Sequence, residues 1–273
     1  MSQFSASGET EGSSFRSPVL LHGFSGSGDS WGPAIVDGLS GMGRIPVRPD
    51  LPGHGRWSRS AAGPPKDLKG ALDAISEAGE WPTDLIGYSM GGRLALHFAA
   101  AFPGRVRSLV LESASPGLAT PLEREERVRA DAALAARIAE RGVEDFVDYW
   151  ASLPLFESRG SLPARNVERL RAVQLQNSPD ELAAVLRGLG TGALPSLWEA
   201  LPVIDIPVLL IVGALDLKFV RIAEALREGL PRARLVVVPE AGHTVHLERP
   251  GAWLRAVASF LSDQEPGAAI RHP

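Results

Sequence analysis

The chain has 273 residues, 44% of them hydrophobic, and carries a formal net charge of −4 at pH 7. A chain of this length and composition can bury a sizeable core, either as one large domain or as a core domain with an insert. It contains no cysteine and no run of Lys or Arg, which excludes disulfides, thiolate metal sites and a cysteine nucleophile and argues against nucleic-acid binding. A small-molecule ligand is therefore expected.

The N-terminal segment lacks the basic stretch and the long apolar run of a secretory signal. No segment approaches the roughly 20 apolar residues that a membrane-spanning helix needs. We therefore expect a soluble, cytoplasmic protein without membrane insertion. Residues 1–16 are expected to form a flexible lead-in, and residues 264–273 a frayed tail.

Short apolar runs alternate with longer helical patterns along most of the chain. The runs are compact and bounded by Pro, Gly or charged residues, as is typical of strands that a parallel sheet buries on both faces. They lie at 19–22, 45–48, 84–88, 106–112, 208–212 and 235–238, and the helical patterns lie at 31–39, 68–78, 92–101, 219–230 and 250–261. This alternation predicts a three-layer α/β domain with a mostly parallel central sheet.

The alternation stops between Pro116 and Pro202, where helical patterns follow one another without a strand-like run. We interpret residues 117–202 as a helical cap, inserted into a core that consists of residues 1–116 and 203–273. Within the cap, residues 123–129 form a dense mixed-charge run. The solvated face of a helix is the simplest explanation for such a run.

Five residues, Gly87-Tyr88-Ser89-Met90-Gly91, lie between a predicted strand and a predicted helix. A Gly-x-Ser-x-Gly sequence in this context is typical of a nucleophile elbow, a tight turn that holds the serine at strained backbone angles. The glycines have a steric reason, since a side chain at either position would collide with the strand or the helix. The elbow predicts Ser89 as a catalytic residue.

A serine hydroxyl needs an imidazole to take its proton and an acid to fix the imidazole tautomer. Asp216 follows the predicted strand 208–212, and His243 follows the predicted strand 235–238. Both lie at the carboxyl ends of parallel strands, where sites in such sheets form. The order Ser89, Asp216, His243 predicts a catalytic triad, against the simpler alternative of a turn aspartate and a surface histidine.

Negative charge that develops during the reaction needs hydrogen-bond donors. Backbone amides aimed at an oxyanion often make a large catalytic contribution. In the elbow geometry, the amide of Met90 supplies one donor. The glycine-rich loop 22–28, which follows the first predicted strand, supplies the other donor, and we assign it to Phe24.

Arg93 lies four residues after Ser89 on the predicted helix, so both side chains can lie on one helix face. An arginine fork binds carboxylates bidentately, so Arg93 predicts a carboxylate substrate, with a structural salt bridge as the alternative. His243 and His246 are three residues apart, but nothing near them in the sequence completes a metal set. We expect neither a metal nor another cofactor.

Together these motifs resemble the α/β-hydrolase superfamily. The resemblance spans nearly the whole chain and rests on residues 21–27, 49–55, 87–93 and 241–243. It implies the α/β-hydrolase fold, with a helical cap over the carboxyl edge of the sheet and an active site between core and cap.

Within this superfamily, the sequence resembles the 2-succinyl-6-hydroxy-2,4-cyclohexadiene-1-carboxylate synthases of menaquinone biosynthesis. The shared features are Tyr88 and Arg93 around the serine, Trp150 ahead of residues 153–156, the pair Gln176-Asn177, and residues 112–118, 123–127, 186–192 and 216–219. This resemblance implies a cofactor-independent lyase that eliminates pyruvate from an enolpyruvyl cyclohexene tricarboxylate, with the serine acting as the base.

The same resemblance implies which residues hold that small polycarboxylate. They are Tyr88, Arg93, Arg124, Arg127 and Trp150, the last packing on the substrate from the cap. Members of that family have another arginine shortly before the Gln-Asn pair. Here either Arg171, one helical turn away, or the neutral donor Gln174 takes that place.

Two alternative functions fit the same residues. The first is a carboxylesterase, lactonase or C–C bond hydrolase in which Ser89 forms a covalent acyl-enzyme. The second is a ligand receptor that keeps the fold and uses the cap as a switch. The arginines favour the lyase over the first alternative, and the intact triad argues against the second.

Overall fold

A computed structural model describes residues 17–59 and 67–264 of the chain. At its centre lies a five-stranded sheet whose strands are β1 (Val19–Leu21), β2 (Thr83–Tyr88), β3 (Val106–Glu112), β4 (Val208–Gly213) and β5 (Ala233–Val238). The strands are ordered β1-β2-β3-β4-β5 across the sheet, and every pair of neighbours is parallel. The predicted α/β fold with a mostly parallel sheet is confirmed.

Helices cover both faces of this sheet. Between β1 and β3 lie α1 (Gly32–Gly41), α2 (Leu68–Glu77) and α3 (Met90–Ala101), and after β4 come α7 (Leu217–Gly229), α8 (Val245–Glu248) and α9 (Pro250–Ser262). Three further helices, α4 (Pro121–Ala151), α5 (Ala164–Gln174) and α6 (Pro179–Leu189), lie between β3 and β4.

Alternate residues of each strand face opposite layers of the core. In β3, Leu109 and Leu111 pack in the layer formed with α2, α3 and α7, whereas Val110 packs in the layer formed with α1 and α9. Side chains on both faces are buried, so the central strands are almost continuously apolar, as expected for a parallel sheet between two helical layers. This burial makes the sheet a rigid support for the loops at its carboxyl edge.

The segment between β3 and β4 has a small apolar core of its own. Buried side chains of α4 and α6 meet there, namely Ala135, Ile138, Phe146, Val147, Leu182, Ala183 and Leu186, and Phe24 of the core packs against them. Helix α4 breaks at Gly142, whose φ of 82° belongs to the left-handed region that glycine adopts without steric cost. This helical segment occupies the region predicted as a cap, and it contacts the loop that follows β1.

The prediction of a strand over 45–48 was wrong. In this region only Val47 pairs with the sheet, through a single bridge to Val19. Pro46 has no N–H to donate to a ladder, and the side chain of Ile45 is 70% exposed, so the run cannot pair along its length. The predicted lead-in, 1–16, and all of the predicted tail except Gln264 lie outside the described residues.

Within residues 17–59 and 67–264, no helix is both long enough and apolar enough to cross a membrane.

A buried charge cluster anchors the amino-terminal end of the sheet. Asp84 of β2 is fully buried, and its carboxylate accepts hydrogen bonds from Arg44 at 3.1 Å and Ser108 at 2.7 Å. Arg107 also donates to both carboxylate oxygens, at 2.9 Å for Nε–Oδ1. The side chain of Arg44 is only 4% exposed, so its ion pair with Asp84 lies in the protein interior, where breaking such a pair is costly.

We expect Asp84→Ala to destabilise the protein severely, because it removes a fully buried carboxylate that accepts hydrogen bonds from Arg44, Arg107 and Ser108. The free energy of unfolding, measured by urea denaturation, should fall by about 3 to 5 kcal/mol. Asp73→Ala is the matched control, since it removes an exposed ion pair with Lys69 and should leave the unfolding midpoint unchanged. Equal midpoints for the two variants would contradict this account of the cluster.

Candidate active site

Ser89 lies at a strained turn between β2 and α3. Its φ of 51° and ψ of −110° are unusual for a residue with a side chain, and such geometry costs on the order of 1 to 3 kcal/mol. The surrounding backbone holds the turn in place, since the N–H of Ser89 donates to the carbonyl of Glu112 at 2.9 Å and its carbonyl accepts from Arg93 at 3.0 Å. A Cβ on Gly87 would lie only 2.6 Å from the carbonyl oxygen of Gly91, so glycine is required there.

The structure brings the three predicted triad residues together. His243 Nε2 lies 3.0 Å from Ser89 Oγ, and His243 Nδ1 lies 2.7 Å from Asp216 Oδ2. Asp216 is also the N-cap of α7, where its other oxygen accepts from the N–H of Phe219 at 3.3 Å. A carboxylate can only accept, so Nδ1 carries the imidazole proton and Nε2 is left to accept the serine hydroxyl.

A buried glutamate shapes the loop that carries His243. The two carboxylate oxygens of Glu248 accept from the N–H of Gly242 at 2.6 Å and from the N–H of Thr244 at 3.0 Å. Both amides flank the histidine, so Glu248 fixes the backbone on either side of it. Asp216 therefore orients the imidazole ring of His243, and Glu248 orients the backbone on either side of it.

Burial lowers the pKa of His243 below its ordinary value of 6.5, although the hydrogen bond and the charge of Asp216 act in the opposite direction. Burial dominates because an imidazolium loses its hydration when the ring is 2% exposed. The neutral imidazole, which can accept a proton, is therefore the resting form at neutral pH.

The two predicted oxyanion donors, Phe24 and Met90, both line the cavity next to Ser89. Among the hydrogen bonds of the described residues, neither N–H has an acceptor. Met90 is the first residue of α3, so the partial positive charge of the helix N-terminus adds to its amide. Both amides are available to an oxyanion.

Two side chains of the helical segment hold the loop that carries Phe24. Gln174 Nε2 donates to Ser25 Oγ at 2.8 Å, and Asn177 Nδ2 donates to the carbonyl of Ser25 at 2.8 Å. From the core side, His22 Nδ1 donates to the carbonyl of Gly23 at 2.8 Å. Gln174, predicted to bind substrate, lines the cavity but already bonds Ser25 through its amide nitrogen.

The triad opens into a cavity of about 730 Å³ between the sheet and the helical segment. Aromatic rings form much of its wall. Trp150 packs on Phe24 and on Phe156, with ring centroids 5.5 Å and 5.6 Å apart, and Phe156 packs on His243 at 5.7 Å. Trp150, predicted to pack on the substrate, is thus part of the lining.

Arg93 also lines the cavity, and its hydrogen bonds go to neutral acceptors. Its guanidinium donates to Thr191 Oγ1 at 2.6 Å and to the carbonyl of Leu189 at 3.0 Å, and its Nε has no acceptor among the described residues. Burial lowers the pKa of Arg93 to about 10, with a further lowering by the charge of Arg127, so the group stays charged at neutral pH.

The other predicted substrate-binding residues are placed differently. Tyr88 and Arg127 line the cavity, and Arg127 forms an ion pair of 2.7 Å with Asp131. Arg124 and Arg171 are not among the lining residues, and Arg171 pairs instead with Asp148 and with Glu144, the latter at 3.5 Å.

Sequence reasoning gave no site role to four charged residues of the lining: Glu123, Asp131, Arg159 and Lys218. A spacing of four residues between Arg127 and Asp131 was a usable signal for a helical ion pair. Lys218 comes soon after Asp216 in the sequence, and this proximity to a predicted triad residue was a usable signal for a place in the cavity lining. Arg159 lies in a 3-10 helix, Pro154–Ser161, whose place over the triad no local pattern predicts.

Within the described ranges, no three His, Asp or Glu side chains converge in the arrangement that a metal ion would need.

A parallel sheet that presents a strained serine, hydrogen-bonded in series to a histidine and an acid, defines an enzyme of the α/β-hydrolase superfamily. The model of the family described as "Alpha/beta hydrolase family" matches residues 19–257. The chain belongs to this family.

Several relatives of the chain have the name of a synthase. The chain is 33% identical over 248 residues to the 2-succinyl-6-hydroxy-2,4-cyclohexadiene-1-carboxylate synthase of Klebsiella pneumoniae subsp. pneumoniae, covering 89% of this chain and 93% of the relative. It is 42% identical over 248 residues to a Bacillus subtilis (strain 168) protein that bears the same name provisionally, with 89% of each covered. The resemblance to these synthases is confirmed.

A solved structure described as MenH from S. aureus is also similar. It superposes with a TM-score of 0.84 at 30% sequence identity, covering 92% of this chain and 95% of that one. The likeness includes both the sheet and the helical segment above it, because so little of either chain is left uncovered.

We expect kcat/KM to fall at acid pH with a midpoint below 6.5, because the neutral form of His243 is active and burial lowers its pKa. Activity should be constant through pH 7 and should decline only as the pH drops through that lowered value. The measurement is a pH profile between about pH 5 and 8, with a substrate that does not itself titrate there. A midpoint above 6.5 would show that Asp216 outweighs burial.

Proposed function

We propose that the enzyme eliminates pyruvate from 2-succinyl-5-enolpyruvyl-6-hydroxy-3-cyclohexene-1-carboxylate. The product is 2-succinyl-6-hydroxy-2,4-cyclohexadiene-1-carboxylate, in menaquinone biosynthesis. The observation that carries the proposal is a hydrogen-bonded Ser–His–Asp triad that opens into a cavity with an excess of positive charge. The names of the relatives from Klebsiella pneumoniae and Bacillus subtilis support it.

The charge of the cavity suits an anionic substrate. Histidines aside, its lining in the described part of the chain has four cations, Arg93, Arg127, Arg159 and Lys218, and two acids, Glu123 and Asp131. Both acids have partners of their own, since Asp131 binds Arg127 and Glu123 caps α4 by accepting from Thr120 at 2.9 Å. An uncompensated excess of cations remains, and a substrate with three carboxylates matches it.

The positions of the double bonds define the proton that must be removed. The substrate has one ring double bond at C3 and the product has two, at C2 and C4. The proton therefore leaves C2, beside the succinyl ketone, and the enolpyruvyl oxygen leaves C5. A C–H group next to a ketone becomes acidic when the ketone oxygen is stabilised as an enolate.

The triad supplies the base. His243 Nε2 takes the proton of Ser89 Oγ, and the serine oxygen takes the C2 proton. The C2–H electron pair forms C2=C3, the former C3=C4 pair forms C4=C5, and the C5–O bond breaks to release the enolate of pyruvate, which is then protonated. The amides of Phe24 and Met90 are free to hold the oxygen of the succinyl ketone while it carries negative charge. Ser89 forms no bond to carbon in this scheme.

We expect the purified enzyme to release pyruvate from the cyclohexene substrate, followed as NADH oxidation through a coupled lactate dehydrogenase. A panel of simple esters run in parallel measures acyl transfer, the chemistry that the same triad would catalyse as a nucleophile. Ser89→Ala should remove nearly all pyruvate release. Rapid ester hydrolysis without pyruvate release would contradict the lyase and support the hydrolase alternative.

Replacing Arg93 by glutamine should lower kcat/KM for pyruvate release by about 100-fold, equivalent to about 2.7 kcal/mol, because a carboxylate loses its cationic partner inside a buried site. Arg187→Gln is the matched control, as Arg187 is an exposed residue of α6 outside the cavity lining. Unfolding midpoints of both variants separate a binding defect from a folding defect. A change in kcat/KM below about threefold would assign Arg93 a purely structural role.

A further inference from the structure

Arg159 is a cation of the cavity that no acid neutralises. It lies on the 3-10 helix Pro154–Ser161, its side chain is half-buried, and it lines the cavity. Among the described residues it forms no ion pair, and the two lining acids are engaged by Arg127 and by Thr120. A half-buried guanidinium without an acid is unusual in a structural role, because desolvation of its charge is left without compensation.

The guanidinium of Arg159 is held in one orientation. Its central carbon lies 3.7 Å from the centroid of the Phe156 ring, the stacked geometry of a cation–π contact. Its Nε donates to Thr244 Oγ1 at 2.9 Å, and its Nη2 donates to the same oxygen at 2.6 Å and to the Tyr88 hydroxyl at 3.2 Å. Nη1 has no acceptor within the described part of the chain, so its two N–H groups are free.

The acceptors of Arg159 leave its charge intact. Thr244 is neutral, and burial raises the pKa of Tyr88 to about 12, so that side chain is a neutral phenol at physiological pH. The positive charge of Arg159 is felt at the triad, where it contributes to lowering the pKa of His243. A fixed, uncompensated cation with two free donors next to the reacting groups is the arrangement that binds a carboxylate.

Arg159 and Arg93 belong to different walls of the cavity. Arg93 is bonded to Leu189 and Thr191, at the end of α6, whereas Arg159 is bonded to Thr244 in the loop that carries His243. Two cations that are held by separate elements can each bind a different carboxylate of one ligand. A monocarboxylate would leave one of the two cations unpaired.

We propose that Arg159 binds a carboxylate of the substrate, a different one from that bound by Arg93. The inference rests on the proposed function, because it takes the polycarboxylate as the ligand. It assigns to the 3-10 helix a direct part in substrate recognition. Since Tyr88 precedes Ser89 and Thr244 follows His243, a carboxylate at Arg159 would also fix the ring of the substrate relative to the base.

A structural latch is the alternative role for Arg159, because its hydrogen bond to Thr244 ties the helical segment to the histidine loop. The two roles predict different kinetic effects when Arg159 is replaced. A latch would hold His243 in place, so its loss would lower kcat and leave KM unaltered. A carboxylate-binding residue would raise KM, and the positive charge of a lysine at the same position would rescue part of the affinity.

Calorimetric titration of the cyclohexene substrate into enzyme with Ser89→Ala measures binding without turnover. We expect Arg159→Gln, added to this background, to weaken binding at least about tenfold, and Arg159→Lys to weaken it less. Arg165→Gln is the matched control, since Arg165 is an exposed arginine on α5 outside the cavity lining, and it should leave affinity unchanged. Unfolding midpoints check that each variant is folded.

The outcomes separate this inference from the proposed function. If enzyme with Ser89→Ala fails to bind the cyclohexene substrate, the result contradicts both the proposed function and the proposed role of Arg159. If it binds and Arg159→Gln binds equally well, only the role of Arg159 is overturned. In turnover assays with Ser89 intact, a rise in KM supports the inference, whereas a fall in kcat at constant KM would assign Arg159 to the latch and overturn it.

Discussion

The left-handed backbone of Ser89 is the constraint on which the rest of the site depends. A residue with a side chain adopts φ near 51° only where the surrounding structure over-determines it. Here β3 holds the amide of Ser89 from one side and the first turn of α3 holds its carbonyl from the other. The single turn thereby fixes three functional groups together: the serine hydroxyl, the free amide of Met90, and Arg93 one helical turn further on.

Burial of this turn decides the protonation states around it. The same loss of hydration keeps His243 neutral and Tyr88 protonated, and lowers the pKa of Arg93 without discharging it. The site therefore combines a neutral base with permanent cations that line one cavity. The cost of desolvating those cations is already present in the free enzyme, and an anionic ligand would offset it on binding, which agrees with the polycarboxylate that we propose as the substrate.

The predicted proximity of the triad residues agrees with the structure, because a parallel sheet brings the carboxyl ends of its strands to one edge. The carboxyl ends of β2 and β4 and the loop after β5 lie along one edge, so the order of Ser89, Asp216 and His243 in the sequence was enough to place them together. Arg93 follows from the helical period in the same way. The wrong strand at 45–48 shows where such reasoning fails: the run is apolar, but Pro46 and the exposed Ile45 limit its pairing to one residue.

Side chains of the helical segment could not be placed from local patterns, because their positions depend on how α4, α5 and α6 pack over the sheet. Arg171 is spaced like a cavity residue, yet acids of α4 hold it outside the lining, whereas Arg159 has no periodic signal and is hydrogen-bonded to Tyr88 and Thr244, the neighbours of Ser89 and His243 in the sequence. Gln174 is intermediate, since it lines the cavity and bonds Ser25.

The helical segment contacts the loops around Ser89 and His243 through hydrogen bonds at two separate points, in addition to the aromatic contacts of Trp150 with Phe24 and of Phe156 with His243. Gln174 and Asn177 hold the loop that carries Phe24, and Arg159 holds Thr244 beside His243. Hydrogen bonds of this kind are directional, so a displacement of the segment would move an oxyanion donor and the base together. Gln174 and Arg159 thus both line the cavity and hold the loops beside Ser89 and His243. In the proposed reaction, substrate that fills the cavity would therefore stabilise the arrangement in which the proton is transferred, and binding energy from carboxylates remote from C2 would contribute to the alignment of the base.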